Sequence, residues 1–265
     1  MHVSLPRLKR LPYLVAAMAV ALSACEPTPN TSTLRFDATF NGQSLSCKQP
    51  LRPGLALTDL RLYISEVQVQ TLTGQWQEVT PAPGVHLLDF EDGSEACING
   101  SPEHISEIVL RLPENSQGLR FELGVPFEQN HADPLSAEAP LNNPAMHWHW
   151  RSGYKFLRAG VAAGNKRWHA HLGSVGCRGP VTAVESCDRP NRVQVSLPGW
   201  TDGTPVEIRF DQLIAGIDLA DAKTAHCLAT EDNESCRQIG SNLGLDFETG
   251  QQIDAGRVFA LGSKP

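Results

Sequence analysis

The sequence predicts a single-domain antiparallel β-sandwich stapled by disulfides. Three observations predict it. Short runs alternate apolar and polar residues with a period of two, the signature of a half-buried strand. Glycine and proline, 22 and 19 residues respectively, punctuate the gaps between those runs. Cysteines are present in even number once the one beside the N-terminal apolar segment is set aside, which suits a bonded framework.

The runs follow in chain order. From Leu34 to Phe40 the apolar Leu34, Phe36, Ala38 and Phe40 alternate with Arg35, Asp37 and Thr39. Leu60 to Val69, Ile105 to Leu112, Gly118 to Val125, Val193 to Leu197 and Val206 to Phe210 repeat the pattern less regularly. Helical periodicity is scarce, and the best candidate is Phe210 to Ala222, with a turn near Ile214. No fixed-period repeat and no low-complexity segment is present. The spacing leaves the strand order open.

Of the seven cysteines, Cys47, Cys97, Cys177, Cys187, Cys227 and Cys236 lie in the body of the chain. Six cysteines allow about 15 pairings. Cys177–Cys187 and Cys227–Cys236 are local pairs that close short loops, which leaves Cys47–Cys97. No C-x-x-C spacing marks a zinc or haem motif.

The N-terminus reads as an export signal. Arg7, Lys9 and Arg10 form a basic region, and Leu11 to Leu22 is apolar. A run of about 12 residues is too short to span a bilayer, which needs about 20. The run ends Leu22-Ser23-Ala24-Cys25, which matches a bacterial lipobox. Residues 1–24 are therefore expected to be a lipoprotein signal peptide, with cleavage before Cys25 and lipidation of its thiol. Glu26 stands where inner-membrane retention signals carry Asp, which by resemblance to lipoprotein sorting points to the outer membrane. Residues 25–33 read as a lipidated tether, polar with two prolines, and 34–265 as the folded domain in the periplasm or at the cell surface. Removing the signal takes away three basic and no acidic residues, leaving 19 basic against 29 acidic. That balance excludes nucleic acid as the expected partner.

The chemistry concentrates between residues 131 and 171, which hold five of the nine histidines and three of the five tryptophans. In an extended Met146-His147-Trp148-His149-Trp150, His147 and His149 share one face and the three apolar side chains the other. In Trp168-His169-Ala170-His171-Leu172, His169 and His171 share a face in the same way. Imidazole is the commonest side-chain metal ligand at neutral pH. Two His-x-His pairs on neighbouring strands suit copper or zinc, and ligation by nitrogen without thiolate suits Cu(II). For any one histidine the plainer reading is a solvated side chain beside an aromatic core. The cluster as a whole points to metal.

The run NNPAMHWHWRSGYKFLR (142–158) resembles the M-x-W-x-W-x-x-G-Y-K-F segment of the MbnP family, periplasmic copper-binding proteins with a four-cysteine motif. LTDLRLYISEV, LLDFEDGSEAC, LRFELGVPFEQNH, HLGSVGC and CDRPN follow the same family pattern in order along the chain. The resemblance implies a β-rich scaffold that binds one copper ion. It also implies a tryptophan of the W-x-W segment, Trp148 or Trp150, oxidised to kynurenine by a di-haem partner enzyme of the MauG type. It implies His131 and His171 as ligands and leaves His147, His149 and His169 as accessory groups. Here the resemblance departs from the spacing argument, which favours the two His-x-His pairs. Asp59, Asp89 and Glu91 are expected to fix loops or orient histidines.

A copper binder is expected, not an enzyme. Ser174 lacks a G-x-S-x-G elbow, no phosphate-binding glycine motif opens a helix, and no C-x-x-C-H attaches haem. The alternative reading is a structural or partner-binding surface lipoprotein without a metal site.

Overall fold

The protein is described by a computed structural model covering residues 1–2, 30–98, 100–113, 115–219, 226–229 and 233–264. The signal segment and Cys25 lie outside these residues. The described chain forms seventeen strands: β1 (Asn30–Phe40), β2 (Gln43–Ser44), β3 (Leu55–Gln70), β4 (Trp76–Glu78), β5 (Val85–Asp89), β6 (Glu107–Leu112), β7 (Gln117–Leu123), β8 (His147–His149), β9 (Gly153–Tyr154), β10 (Leu157–Ala163), β11 (Lys166–Leu172), β12 (Val175–Arg178), β13 (Ser186–Arg189), β14 (Val193–Thr201), β15 (Val206–Arg209), β16 (His226–Leu228) and β17 (Phe259–Leu261). Three α-helices accompany them, α1 (Phe127–Asn130), α2 (Phe210–Leu213) and α3 (Glu234–Leu243), with a short 3-10 helix at Glu95–Cys97.

The fold is mainly β, with two large sheets packed face to face. One runs β17-β15-β1-β2, with β6 also on β1; the other runs β14-β7-β3-β10-β11-β16, with β4 and β5 also on β3. Alternation makes the first sheet: Leu34, Phe36, Ala38 and Phe40 of β1 point into the core. Rings meet across the layers, Phe36 with Phe121 at 5.6 Å and Phe121 with Phe259 at 5.5 Å, both edge-on. Apolar burial of this kind stabilises by about 1.5–3 kcal/mol per large side chain. Most pairings are antiparallel as expected, but β1 with β15 and β11 with β16 run parallel.

Two expectations are corrected. Asn30 to Thr33 are not tether: they pair with Leu112 to Val109 of β6, so the ordered domain begins earlier. The helix expected over Phe210–Ala222 is a single turn that ends at Leu213; the turn expected near Ile214 is present, and residues 220–222 lie outside the described residues. Among the described residues the longest helix is α3, whose Asn233 side chain accepts the Cys236 N–H at 2.9 Å and whose end is closed by left-handed Gly244. Those are the standard start and stop signals.

The three disulfides join Cys47 to Cys97, Cys177 to Cys187 and Cys227 to Cys236, as the spacing suggested. The second cross-links the β12–β13 hairpin, which pairs with neither large sheet. The third ties β16 to α3, and Trp168 adds a link there by donating to Ser235 Oγ at 2.9 Å. Beside the main core lies a smaller buried cluster that includes Tyr63, Met146, Tyr154 and Phe156. It forms the floor under the tryptophan-rich segment.

Candidate metal centre

Short-range backbone chemistry brings the 130s to the 150s. Pro126 leads into the single turn of α1, which ends at His131. The Asn130 side chain accepts the Tyr154 N–H at 2.9 Å and donates to the Ser152 carbonyl at 3.0 Å. Asn130 lies so close to Gly153 that a Cβ there would sit 2.1 Å from its backbone carbonyl oxygen and 2.4 Å from its side-chain oxygen, with φ at +75°. Only glycine fits both constraints. The N-H and S-G-Y-K-F motifs are thus two halves of one clamp.

Around that clamp stand His131, His147 and Trp150. The His131 ring lies half-buried, 4.6 Å from the Phe127 ring. Its Nε2 is 3.2 Å from Asn130 Nδ2 and 3.4 Å from Cys187 Sγ, while Nδ1 is buried with no hydrogen-bond partner. Burial alone pushes its pKa down, which keeps the imidazole neutral and able to ligate. Trp150, 49% exposed, walls a cavity of about 220 Å³ that His131 and Asp133 also line. The same indole walls a neighbouring cavity of about 310 Å³ lined by His147. The His147 ring is 6.1 Å from Trp150 and 5.4 Å from Tyr154. Burial lowers the His147 pKa, followed by the charges of Lys155 and His149.

The strict alternation expected over 146–150 does not hold. Extended pairing is limited to β8, its register with β9 slips between His147 and His149, and the chain turns at Trp150. The turn swings Trp150 back to the His147 side. Trp148 goes the other way, packs on the main core, and reaches Gly173, where a Cβ would stand 3.2 Å from its ring. His149 is exposed, and its Nδ1 accepts the Arg151 N–H at 3.3 Å. It closes the turn.

Alternation does hold in β11: Trp168, Ala170 and Leu172 are buried, while His169 and His171 face outward at the half-buried level. His171 lies opposite Arg158 on β10. Burial, and then Arg158 and Lys155, push its pKa down to about 3. His169 is 5.1 Å from His171 and stacks on His226 of β16 at 5.4 Å. The cavity that His171 and His169 line shares no residue with the one His131 lines. The two histidines implied as a ligand pair thus line different cavities.

Asp59 and Glu91 hold the scaffold beneath His171. Asp59 takes both Arg61 (Nε at 2.9 Å, Nη2 at 2.8 Å) and Arg158 at 2.8 Å. Glu91, fully buried, accepts the Gly93 and Ser101 N–H groups and lies 3.5 Å from Arg61. Asp89, pushed up to about 7 by burial and by Glu91, accepts from Ser101. These carboxylates fix loops and arginines. Sequence reasoning missed Asn130, Tyr154 and His226; the N-H and G-Y pairs carried a signal for the first two, and the parallel β11–β16 pairing left none for the third.

The family model for MbnP matches residues 29–237 of this chain. Among solved structures, MbnP from Methylosinus trichosporium superimposes with a TM-score of 0.76 at 20% identity, covering 88% of this chain and 98% of that one. At that identity the likeness shows the fold. No curated protein matches the chain.

Proposed function

This chain belongs to the MbnP family, and from that premise we propose that it is a periplasmic copper-handling lipoprotein whose single copper site is built around Trp150. His131 and His147 supply neutral imidazoles. Trp150, oxidised to kynurenine by a di-haem partner of the MauG type, supplies the third group. The observation that carries this reading is the indole of Trp150, the wall common to the His131 and His147 cavities.

The donor chemistry supports it. A buried Nδ1 without a partner is costly, and a metal ion would relieve that cost. Indole offers no lone pair, since its nitrogen is a donor only. Oxidative cleavage of the C2–C3 bond, with loss of C2 as formate, leaves an aryl amine and a ketone, both able to bind metal. Trp150 is exposed enough for a docked oxidant to reach it. His171 fits less well: burial chiefly holds it neutral, and the Arg158 and Lys155 charges that add to that shift also oppose a cation. A second arrangement, His171 with Trp148, is favoured by one contact, the Trp148 ring against Gly173.

The test uses native-host protein and protein made without the di-haem partner. Peptides spanning 146–155 are weighed, and copper is measured on the intact chain. Kynurenine at Trp150 with one tightly held copper, both lost without the partner, is the expected result. Kynurenine at Trp148 would move the site toward His171. Equal copper in both preparations would remove kynurenine from the site, and metal-free native protein would return the chain to a partner-binding role.

A further inference from the structure

We infer that reduction of the Cys177–Cys187 disulfide creates a second kind of metal site at the same corner, in which His131, Cys177 and Cys187 together hold a soft ion such as Cu(I). The inference does not rest on kynurenine: it shares His131 with the site proposed above and needs no modified tryptophan.

Position is the first argument. One ring nitrogen of His131 and the two sulfurs all lie within 4.8 Å of one another. In a three-coordinate ion with metal–sulfur bonds of about 2.3 Å and metal–nitrogen bonds of about 2.0 Å, the ligand atoms stand about 3.7–4.0 Å apart. Small side-chain rotations reach that arrangement once the sulfurs part. Cys177 and Cys187 are directly opposed in register, with Val175 paired to Arg189 and Arg178 to Ser186 on either side. The hairpin ladder therefore keeps the two thiols adjacent after the bond opens.

Access is the second argument. Cys47, Cys97, Cys227 and Cys236 are at most 4% exposed. Cys187 is the half-buried member of the six, and it lines a cavity of about 250 Å³ together with Phe127, Ser174 and Arg192. A reductant reaches that sulfur before the others. The hairpin lies outside both large sheets, so opening it leaves the core pairings in place.

The chemistry balances with a dithiol as the reductant. Its thiolate attacks Cys187 Sγ, the disulfide breaks, and Cys177 departs as a thiolate that takes up a proton. The second thiol of the reductant then attacks the mixed disulfide and releases Cys187. Two electrons and two protons pass from the dithiol, which becomes a disulfide, to the protein. Metal binding expels the two protons again, because the thiolate is the ligand. Thiolate pairs select Cu(I) over harder ions.

The test takes the full-length chain, made without a di-haem partner so that Trp150 stays indole. Graded dithiothreitol is followed by alkylation and peptide mapping, and then by Cu(I) titration against a coloured Cu(I) chelator. Cobalt(II) serves as a second probe through its sulfur charge-transfer band. Alkylation should appear first at Cys177 and Cys187, and the reduced chain should take one Cu(I) that the oxidised chain does not. Loss of an outer partner of a ligand already costs about 10–100-fold in affinity, so His131→Ala should weaken Cu(I) by at least about tenfold and alter the cobalt spectrum. Cys187→Ser, which leaves at most one thiolate, should weaken the charge-transfer band by about half or more. If Cys187→Ser fails to fold, His131→Ala still decides, since it keeps the disulfide. First opening at another disulfide, equal Cu(I) uptake by both redox states, or an unchanged His131→Ala would each overturn the inference.

Discussion

His131 and His171 are both half-buried histidines with depressed pKa values, yet they sit in opposite surroundings. His171 projects from a regular strand in the middle of a sheet, over the ion network of Asp59, Arg61 and Arg158. His131 caps a single helical turn held by one asparagine clamp, and burial is what shifts it. His171 is kept neutral by burial first and then by the Arg158 and Lys155 charges, and those charges also oppose an added cation. A histidine kept neutral by burial alone, with a ring nitrogen left unpartnered, is a good place for one. On the function proposed above, the rigid sheet would serve as scaffold and the irregular corner as site.

The comparison breaks most visibly at Asp59. Asp59→Ala leaves two arginines beside a gap in the buried network, and removing one partner of such a network costs about 3–5 kcal/mol. Chemical denaturation should show that loss, while copper bound per folded molecule should stay near the parent value. A loss of copper with unchanged stability would reverse the roles of the two regions.

At the irregular corner the order inverts. His131→Ala should weaken copper binding in native-host protein at least tenfold, by analogy with the roughly 10–100-fold cost of losing even a ligand's outer partner. Its unfolding free energy should fall by no more than about 1 kcal/mol, as for a substitution that leaves the core intact.

His147→Ala and His171→Ala sharpen the choice of second ligand. The first is expected to lower copper affinity and the second to leave it within about twofold, a difference under 0.5 kcal/mol. The opposite ranking in a copper competition assay would restore the pair that the motifs alone implied.

A further effect appears in acid. His171 titrates at about 3 when folded against an ordinary 6.5, so the unfolded chain takes up its proton first as the pH falls. Its contribution to stability is therefore full above 6.5 and is lost as the pH drops toward 3. His171→Gln should flatten that part of the pH–stability curve. Asp89 slopes the other way: its raised pKa of about 7 favours the folded state at low pH and loses that contribution as the pH rises through 7. A His171→Gln curve parallel to the parent's would mean that the histidine is not held neutral.

Local pattern carried much of the architecture. The alternation of Leu34 to Phe40 and of Trp168 to Leu172 put the right side chains inward, because side-chain direction in a strand follows from backbone geometry two residues at a time. The same rule failed over Met146 to Trp150. The extended stretch there lasts three residues, and its register slips before Trp150. Helix α3 carried its own start and stop signals in Asn233 and Gly244, which the reading of the sequence did not use.

By itself the sequence determined the β class, the three disulfide partners, the family and the segment where the histidines and tryptophans gather. Those are properties of spacing, composition and motif order, and they survive any uncertainty about how strands are arranged. Tertiary structure alone decided which histidines meet. Asn130 had to reach Gly153 and Tyr154 before His131 could share a cavity wall with Trp150. β16 had to pair in parallel with β11 before His226 could stack on His169. Such encounters depend on hydrogen bonds and register between distant segments, and no periodicity within either segment encodes them.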